Sequence, residues 1–377
     1  MGATVWKTAA VIEGRGRVAI GSVVVVVLVS VAACSVLDDG GSGAARSVAA
    51  LRVPATTVTT STATTLAATT TTLPPTTATP LTTAAPPPAD CRDVPADSHW
   101  HARVDGLPVH PRSGDYVASI GAGSGVKADF GAGLWEGGPI GIPVTEAAAG
   151  QAEVPVSFEY ADESDPGPYA IPPDAPVEGG PDADGDRHVL VVDPGRCRLY
   201  ELYAAHPNAD GSWRAGSGAV YDLRSHDLRP AGWTSADAAG LPIAPGLVRY
   251  DEVAAGRIDH AIRVTVPSSQ DAYVWPARHA ASDSTDPALP PMGLRLRLRA
   301  DVDLSGLAPQ ARVVAEAMRD HGVIVADNGS AWYLGGVPDD RWDNDALQTL
   351  GSLTGADFEA VDSAPLMVDP DSGRAGP

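Results

Sequence analysis

The chain has 377 residues and a formal net charge of −21, with 47 Asp and Glu against 26 Lys and Arg. A field of that sign disfavours nucleic acid and anionic membrane surfaces as partners. The length is enough for a sizeable core, and three cysteines are too few for a disulfide-dense scaffold.

In chain order, the first feature is Lys7, Arg15 and Arg17 followed by an apolar run from Val18 to Ala33, the layout of a secretory signal. The 16-residue run is shorter than the roughly 20 residues a spanning helix needs. Residues 1–33 are therefore expected to be a signal peptide. The run ends Val31-Ala32-Ala33-Cys34, which resembles the lipobox of bacterial lipoproteins. That resemblance implies cleavage before Cys34, lipidation of Cys34, and a chain held by an N-terminal lipid anchor at the outer face of the cytoplasmic membrane. Plain secretion is the alternative. With Cys34 given to lipid, Cys91 and Cys197 are expected to form a disulfide in an oxidising compartment.

Residues 34–90 are dominated by Thr, Ala, Pro and Ser, including Thr69 to Thr72 and Pro86-Pro87-Pro88. Such a segment buries too little apolar surface to offset its ordering entropy, so a disordered, extended stalk is expected. The folded domain is expected over residues 91–365, with 366–377 as a disordered tail.

Within the domain, short β-branched or alternating runs recur between Gly, Pro and Asp: His188 to Asp193, Arg198 to Tyr203, Leu247 to Val253, Ala261 to Val266, Ala272 to Trp275 and Gly293 to Ala300. The last alternates Leu294, Leu296 and Leu298 with Arg295, Arg297 and Arg299, which predicts a leucine face that packs and an arginine face that is wet or paired. Helical signals are confined to Pro309 to His321 and, more weakly, Asn344 to Leu350. The pattern predicts a mainly β fold, an antiparallel β-sandwich or jelly-roll-like domain with one or two short C-terminal helices. The Pro/Gly-dense span from Pro166 to Gly185 is expected to be a long surface loop.

Four strings, Asp186 to Asp193, Ala239 to Glu252, Pro290 to Leu296 and Ala326 to Ser330, resemble those of a family of secreted bacterial proteins. The resemblance spans most of residues 99–360. It implies a shared extracellular fold and assigns no activity.

The candidate chemistry starts with carboxylates beside aromatic rings, since sugars stack on flat rings and glycosidic cleavage uses two carboxyl groups. Asp251, Glu252 and Asp327 are the candidate acids, with Trp233, Trp275 and Trp332 as candidate stacking surfaces. His260 is a further catalytic candidate; Arg263, His279 and Asn328 are candidate ligand contacts. Asp182, Asp184 and Asp186 alternate like the first half of a calcium loop, although Arg187 stands where such a loop needs glycine. The cofactor expectation is therefore none, or Ca²⁺ at those three residues. His99, His101 and His110 are a weaker zinc combination. No Gly-x-Ser-x-Gly, Walker A, His-Glu-x-x-His or Cys-x-x-Cys motif is present. The functional expectation is a cell-surface lipoprotein whose domain engages polysaccharide, as a glycan-cleaving enzyme or as a non-catalytic ligand-binding or structural envelope protein.

Overall fold

The computed structural model describes residues 91–377. The expected signal peptide, the expected lipidation site Cys34 and the expected stalk lie outside the described residues, and among those described no helix is long and apolar enough to cross a membrane. Fifteen short strands carry the domain. The first five are β1 (Lys127–Asp129), β2 (Leu134–Trp135), β3 (Gly138–Pro139), β4 (Val144–Glu146) and β5 (Val156–Phe158). Next come β6 (Val189–Asp193), β7 (Arg198–Tyr203), β8 (His206–Pro207), β9 (Trp213–Ala215) and β10 (Ser217–Asp222). The last five are β11 (Ile262–Val266), β12 (Arg295–Leu298), β13 (Val323–Asn328), β14 (Tyr333–Gly335) and β15 (Phe358–Ala360). The α-helices are α1 (Ser113–Ile120), α2 (Tyr250–Ala254), α3 (Pro309–Asp320) and α4 (Asn344–Gln348).

The strands form a six-stranded sheet in the order β1-β14-β11-β13-β12-β15, a four-stranded sheet β10-β7-β6-β4, a three-stranded sheet β5-β9-β8 and the β2-β3 hairpin. The protein is mainly β, with few and short helices. Its sheets are mixed, however: β1/β14, β11/β13, β4/β6 and β5/β9 pair in parallel. The expectation of purely antiparallel sheets is thus corrected. Alternating runs reveal strands but not their direction, and long connections such as the one from β4 to β6, which includes Pro166 to Gly185, permit parallel pairing.

On β11, Ile262, Val264 and Val266 are fully buried in the largest core, together with Ala311, Val314 and Met318 of α3. That face is hydrophobic because β-branched residues recur every second position. The alternate position, Arg263, points to the other side. The arginine row of β12 is paired: Arg295 donates to the His99 and His321 carbonyls and Arg297 meets Glu359.

Two expected strands are not strands. Leu247 to Val253 starts a turn and then enters α2, where the Glu252 carboxylate accepts from the Arg249 amide at 3.1 Å and caps the helix. Ala272 to Trp275 contributes only the isolated bridge Tyr273–Met292. Residues 366–377, expected as a disordered tail, return to the domain instead. The His99 amide donates to the Gly373 carbonyl, the Arg278 guanidinium holds the Pro370 carbonyl and the Asp371 carboxylate, and Ser98 bridges Arg374. A tail fastened by backbone and guanidinium bonds, with only Leu366 as a buried apolar anchor, leaves little hydrophobic pattern to read.

Cys91 and Cys197 are joined, with Cα atoms 4.8 Å apart and a sequence separation of 106. The bond fastens the start of the domain to the turn before β7. Replacing both with serine is expected to lower the unfolding free energy by about 4–5 kcal/mol, the loop-closure entropy of such a span. Denaturant titration with and without reductant checks this, and the serine variant is expected to be insensitive to reductant.

Candidate active site

The site is built on the face of the large sheet opposite the core packed by Ile262, Val264 and Val266. Arg263 of β11 stands opposite Ile324 of β13, and beyond Val264 the register shifts so that Thr265 faces Asp327. In an unbroken register Thr265 would face Ala326. The one-residue bulge therefore turns Asp327 onto the face of Arg263 and Thr265, because adjacent residues in register point the same way. On the other flank, β1 places Asp129 beside Gly335 of β14. Gly335 leaves the space that the Arg263 side chain crosses: a Cβ there would lie 2.9 Å from Leu247 Cδ2 and 3.4 Å from Arg263 Cδ.

Arg263 is the organising cation. Its Nε donates to Asp237 Oδ2 at 2.7 Å and its second terminal nitrogen to Asp237 Oδ1 at 2.8 Å, a bidentate pair in which Asp237 is 1% and Arg263 7% exposed. The same terminal nitrogen reaches Asp327 Oδ2 at 3.3 Å. Asp327 keeps 21% of its side-chain surface, so its carboxyl meets solvent where Asp237 does not. Asp237 already balances the guanidinium charge and leaves Asp327 as the surplus carboxylate. Burial, then Asp237 and Asp186, push its pKa up to about 8 against the pull of Arg263.

Glu178 and His188 form a second pair whose charges act on Arg263 and Asp327. His188 Nδ1 donates to Glu178 Oε2 at 2.6 Å and Nε2 donates to the Ala236 carbonyl at 3.0 Å. With acceptors at both nitrogens the ring is an imidazolium. Burial opposes that charge, but Glu178 outweighs it and holds the pKa up to about 9. Asp129 and Asp186 are solvent-open. Surrounding protein and then Glu178 raise the Asp129 pKa, with Asp186 adding to the rise and Arg263 opposing it. Tyr203, its ring 6.0 Å from His188, has its hydroxyl pushed up to about 12 by burial and by Asp186 and Asp327. Asp327, whose pKa is raised, and the solvent-open Asp129 thus share one face of the large sheet.

Of the residues expected from the sequence, Asp327, Arg263 and Asp186 come together here. Asn328 follows at the end of β13, donating to the Ala281 carbonyl. The others lie elsewhere. Asp251 is on α2, 81% exposed and paired with Arg341 at 2.7 Å in a separate surface groove with Tyr250 and Arg92. Glu252 caps α2 and meets His260 at 3.3 Å; the His260 ring is buried and donates to the Ala261 carbonyl. Trp332 is a core residue, 1% exposed, stacked on Phe358 and donating to the Gly121 carbonyl. Trp275 packs against His99 under the C-terminal segment and donates to the Ser372 carbonyl. His279 donates to the Ala238 carbonyl and faces Glu163 at 3.8 Å, and Trp233 lies against Arg229.

Among the described residues no group of three or more His, Cys, Asp or Glu side chains is placed to hold a metal ion. Asp182, Asp184 and Asp186 therefore do not form the expected Ca²⁺ site. The Arg187 guanidinium takes the loop carbonyls of Pro181 and Ala183, together with that of Ala205, so its charge stands where a cation would need those oxygens. His99, His101 and His110 are likewise apart, bonded to the Gly373 carbonyl, the Asp259 carbonyl and the Arg112 amide.

Sequence reasoning missed Asp129, Glu178, His188 and Asp237. Their signal is weak: Asp237 lies in an unremarkable Ser-Ala-Asp-Ala loop, and Glu178 and His188 are ten residues apart across the Pro/Gly-dense span. The chain matches none of the protein-family models, characterised proteins or solved structures with which it was compared.

The sign of the pH dependence follows from Asp327. Its folded carboxyl keeps its proton up to about 8 whereas the unfolded chain releases it near 3.8, so its contribution to stability is full below about 4 and is lost as pH rises through 8. Asp327→Asn is expected to flatten the decline in stability between pH 4 and 8, measured by denaturant midpoints at a series of pH values.

Proposed function

We propose that the cleft between Asp327 and Asp129 cleaves glycosidic bonds by general acid–base chemistry, and that the protein is an exported, lipid-anchored surface enzyme acting on polysaccharide. The observation that carries the reading is the placement of Asp327, whose carboxyl lies 3.3 Å from the Arg263 guanidinium, on the same sheet face as the solvent-open Asp129. In this scheme Asp327 gives its proton to the leaving glycosidic oxygen as the bond from the anomeric carbon breaks. Water attacks that carbon and loses its proton to Asp129. Asp237 acts through Arg263: by balancing the guanidinium it keeps Asp327 protonated at neutral pH. Support for an exported chain is the Cys91–Cys197 bond, which persists in oxidising compartments.

A second reading, a non-catalytic glycan-binding surface, is favoured by the exposed hairpin residues Leu134 and Trp135. Hydrolysis separates the two. The full chain incubated with a panel of cell-wall and plant polysaccharides is expected to release reducing ends, and Asp327→Asn to lower that rate by about 10²–10⁴-fold. Retention on a glycan without release supports the binding reading, and neither retention nor release sinks both.

The role given to Asp237 has its own test. Asp237→Asn leaves Arg263 unbalanced, which lowers the Asp327 pKa. The alkaline limb of the rate–pH profile is expected to move to lower pH than in the unaltered chain, while Glu252→Gln, outside the cleft, leaves the limb in place.

A further inference from the structure

Among the described residues, the β2–β3 hairpin carries the two most exposed large apolar side chains. Leu134 is 69% and Trp135 71% exposed. Trp135 pairs in register with Gly138, and Gly138 packs on the backbone of Gly179 so closely that no Cβ fits between them. Gly179 directly follows Glu178, so the hairpin rests on the segment that carries Glu178. Its other end is continuous with β1: Asp129 is followed by Phe130, and the Gly131 amide donates to the Ile140 carbonyl at the hairpin base. The hairpin backbone that carries Trp135 is thus fastened on one side to Gly179 and on the other to the segment that follows Asp129. An exposed tryptophan costs solubility unless something stacks on it, and sugar rings present the apolar face that such a ring accepts.

The charge of the cleft then selects among sugars. Arg263 is spoken for by Asp237, the His188 imidazolium is met by Glu178, and Asp327 is the proton-holding acid of the scheme, which leaves Asp129 and Asp186 as the surplus negative charge; the net charge of −21 extends the same sign over the chain. Polyuronates and sulfated chains are repelled by this field, and cationic chains are drawn in.

The geometry points to a stacking subsite at Trp135 for a polysaccharide whose units carry free amino groups. The assignment rests on the glycan-cleaving reading above and adds the substrate class and the residue that grips it. Trp135 holds the pyranose face by stacking, and the carboxylates of the cleft accept hydrogen bonds from the ammonium groups of neighbouring units.

The test uses the full chain on three immobilised polymers: polyglucosamine with free amines, its fully N-acetylated form, and a polyuronate, at mildly acidic pH and at low and high salt. Retention is expected on the free-amine polymer, weakened by salt, weaker on the acetylated form and absent on the polyuronate. Trp135→Ala is expected to weaken that retention about tenfold, and Trp135→Phe to restore most of it. Equal retention on the acetylated or uronate polymer, or an unchanged Trp135→Ala variant, overturns the assignment. If such a result comes with release of a neutral glycan that Asp327→Asn abolishes, the acid-cleft reading survives without it. If no glycan is retained or released, both fall.

Discussion

One buried guanidinium sets the terms for the rest of the cleft. Arg263 leaves a strand whose other face is fully apolar, and its charge must be met where it lands, since an unpaired cation at 7% exposure costs several kcal/mol. Asp237 meets it with two oxygens. That closure sets Asp327 apart from the exposed acids: it touches the same nitrogen but finds the charge already balanced, and burial with Asp237 pushes its pKa up. The bulge in β13 and the missing side chain at Gly335 are the backbone conditions for this arrangement. The first turns Asp327 toward Arg263, and the second leaves the side chain room to cross.

The second pair repeats the logic with the opposite sign. His188 is buried, and it carries charge because acceptors stand at both of its ring nitrogens. Two ion pairs, Arg263–Asp237 and His188–Glu178, thus hold their side chains in place near Asp327. Such pairs contribute little net stability compared with apolar packing, so their value lies in position and charge. Cores on either side supply the stability: α3 and the six-stranded sheet on one, and the cluster around Tyr169, Tyr200 and Trp213 on the other.

How much of this was legible follows from what each feature needs. Strand content, the α3 and α4 helices and the Cys91–Cys197 pair depend on local pattern or cysteine arithmetic, and they were readable. Arg263 and Asp327 were named individually, but the reason they meet, a one-residue register shift, leaves no mark in the sequence. Asp251 and Glu252 look like a catalytic pair because they are adjacent; the adjacency instead reflects helix capping and a surface ion pair with Arg341. Trp332 and Trp275 read as stacking surfaces by residue type alone, yet both are committed to packing. Trp135 was overlooked although its surroundings, Gly131, Gly133, Gly137 and Gly138, mark a tight hairpin that cannot bury a ring. The tail shows the same limit: guanidinium and backbone bonds hold residues 370–374, and neither has a periodicity.

Strand direction belongs with these long-range features. β11 and β13 are parallel with β12 and α3 between them in the chain, and that crossover brings Arg263 and Asp327 side by side from residues 64 apart. The central claim is that this meeting leaves Asp327 with a proton at neutral pH. The direct measurement is a carbon-13 NMR titration of the aspartate side-chain carboxyls, with Asp327→Asn used to assign the signal. The account predicts one carboxyl that titrates near pH 8 and is absent from the variant; a spectrum in which every aspartate, Asp327 included, is ionised by pH 5 would contradict it.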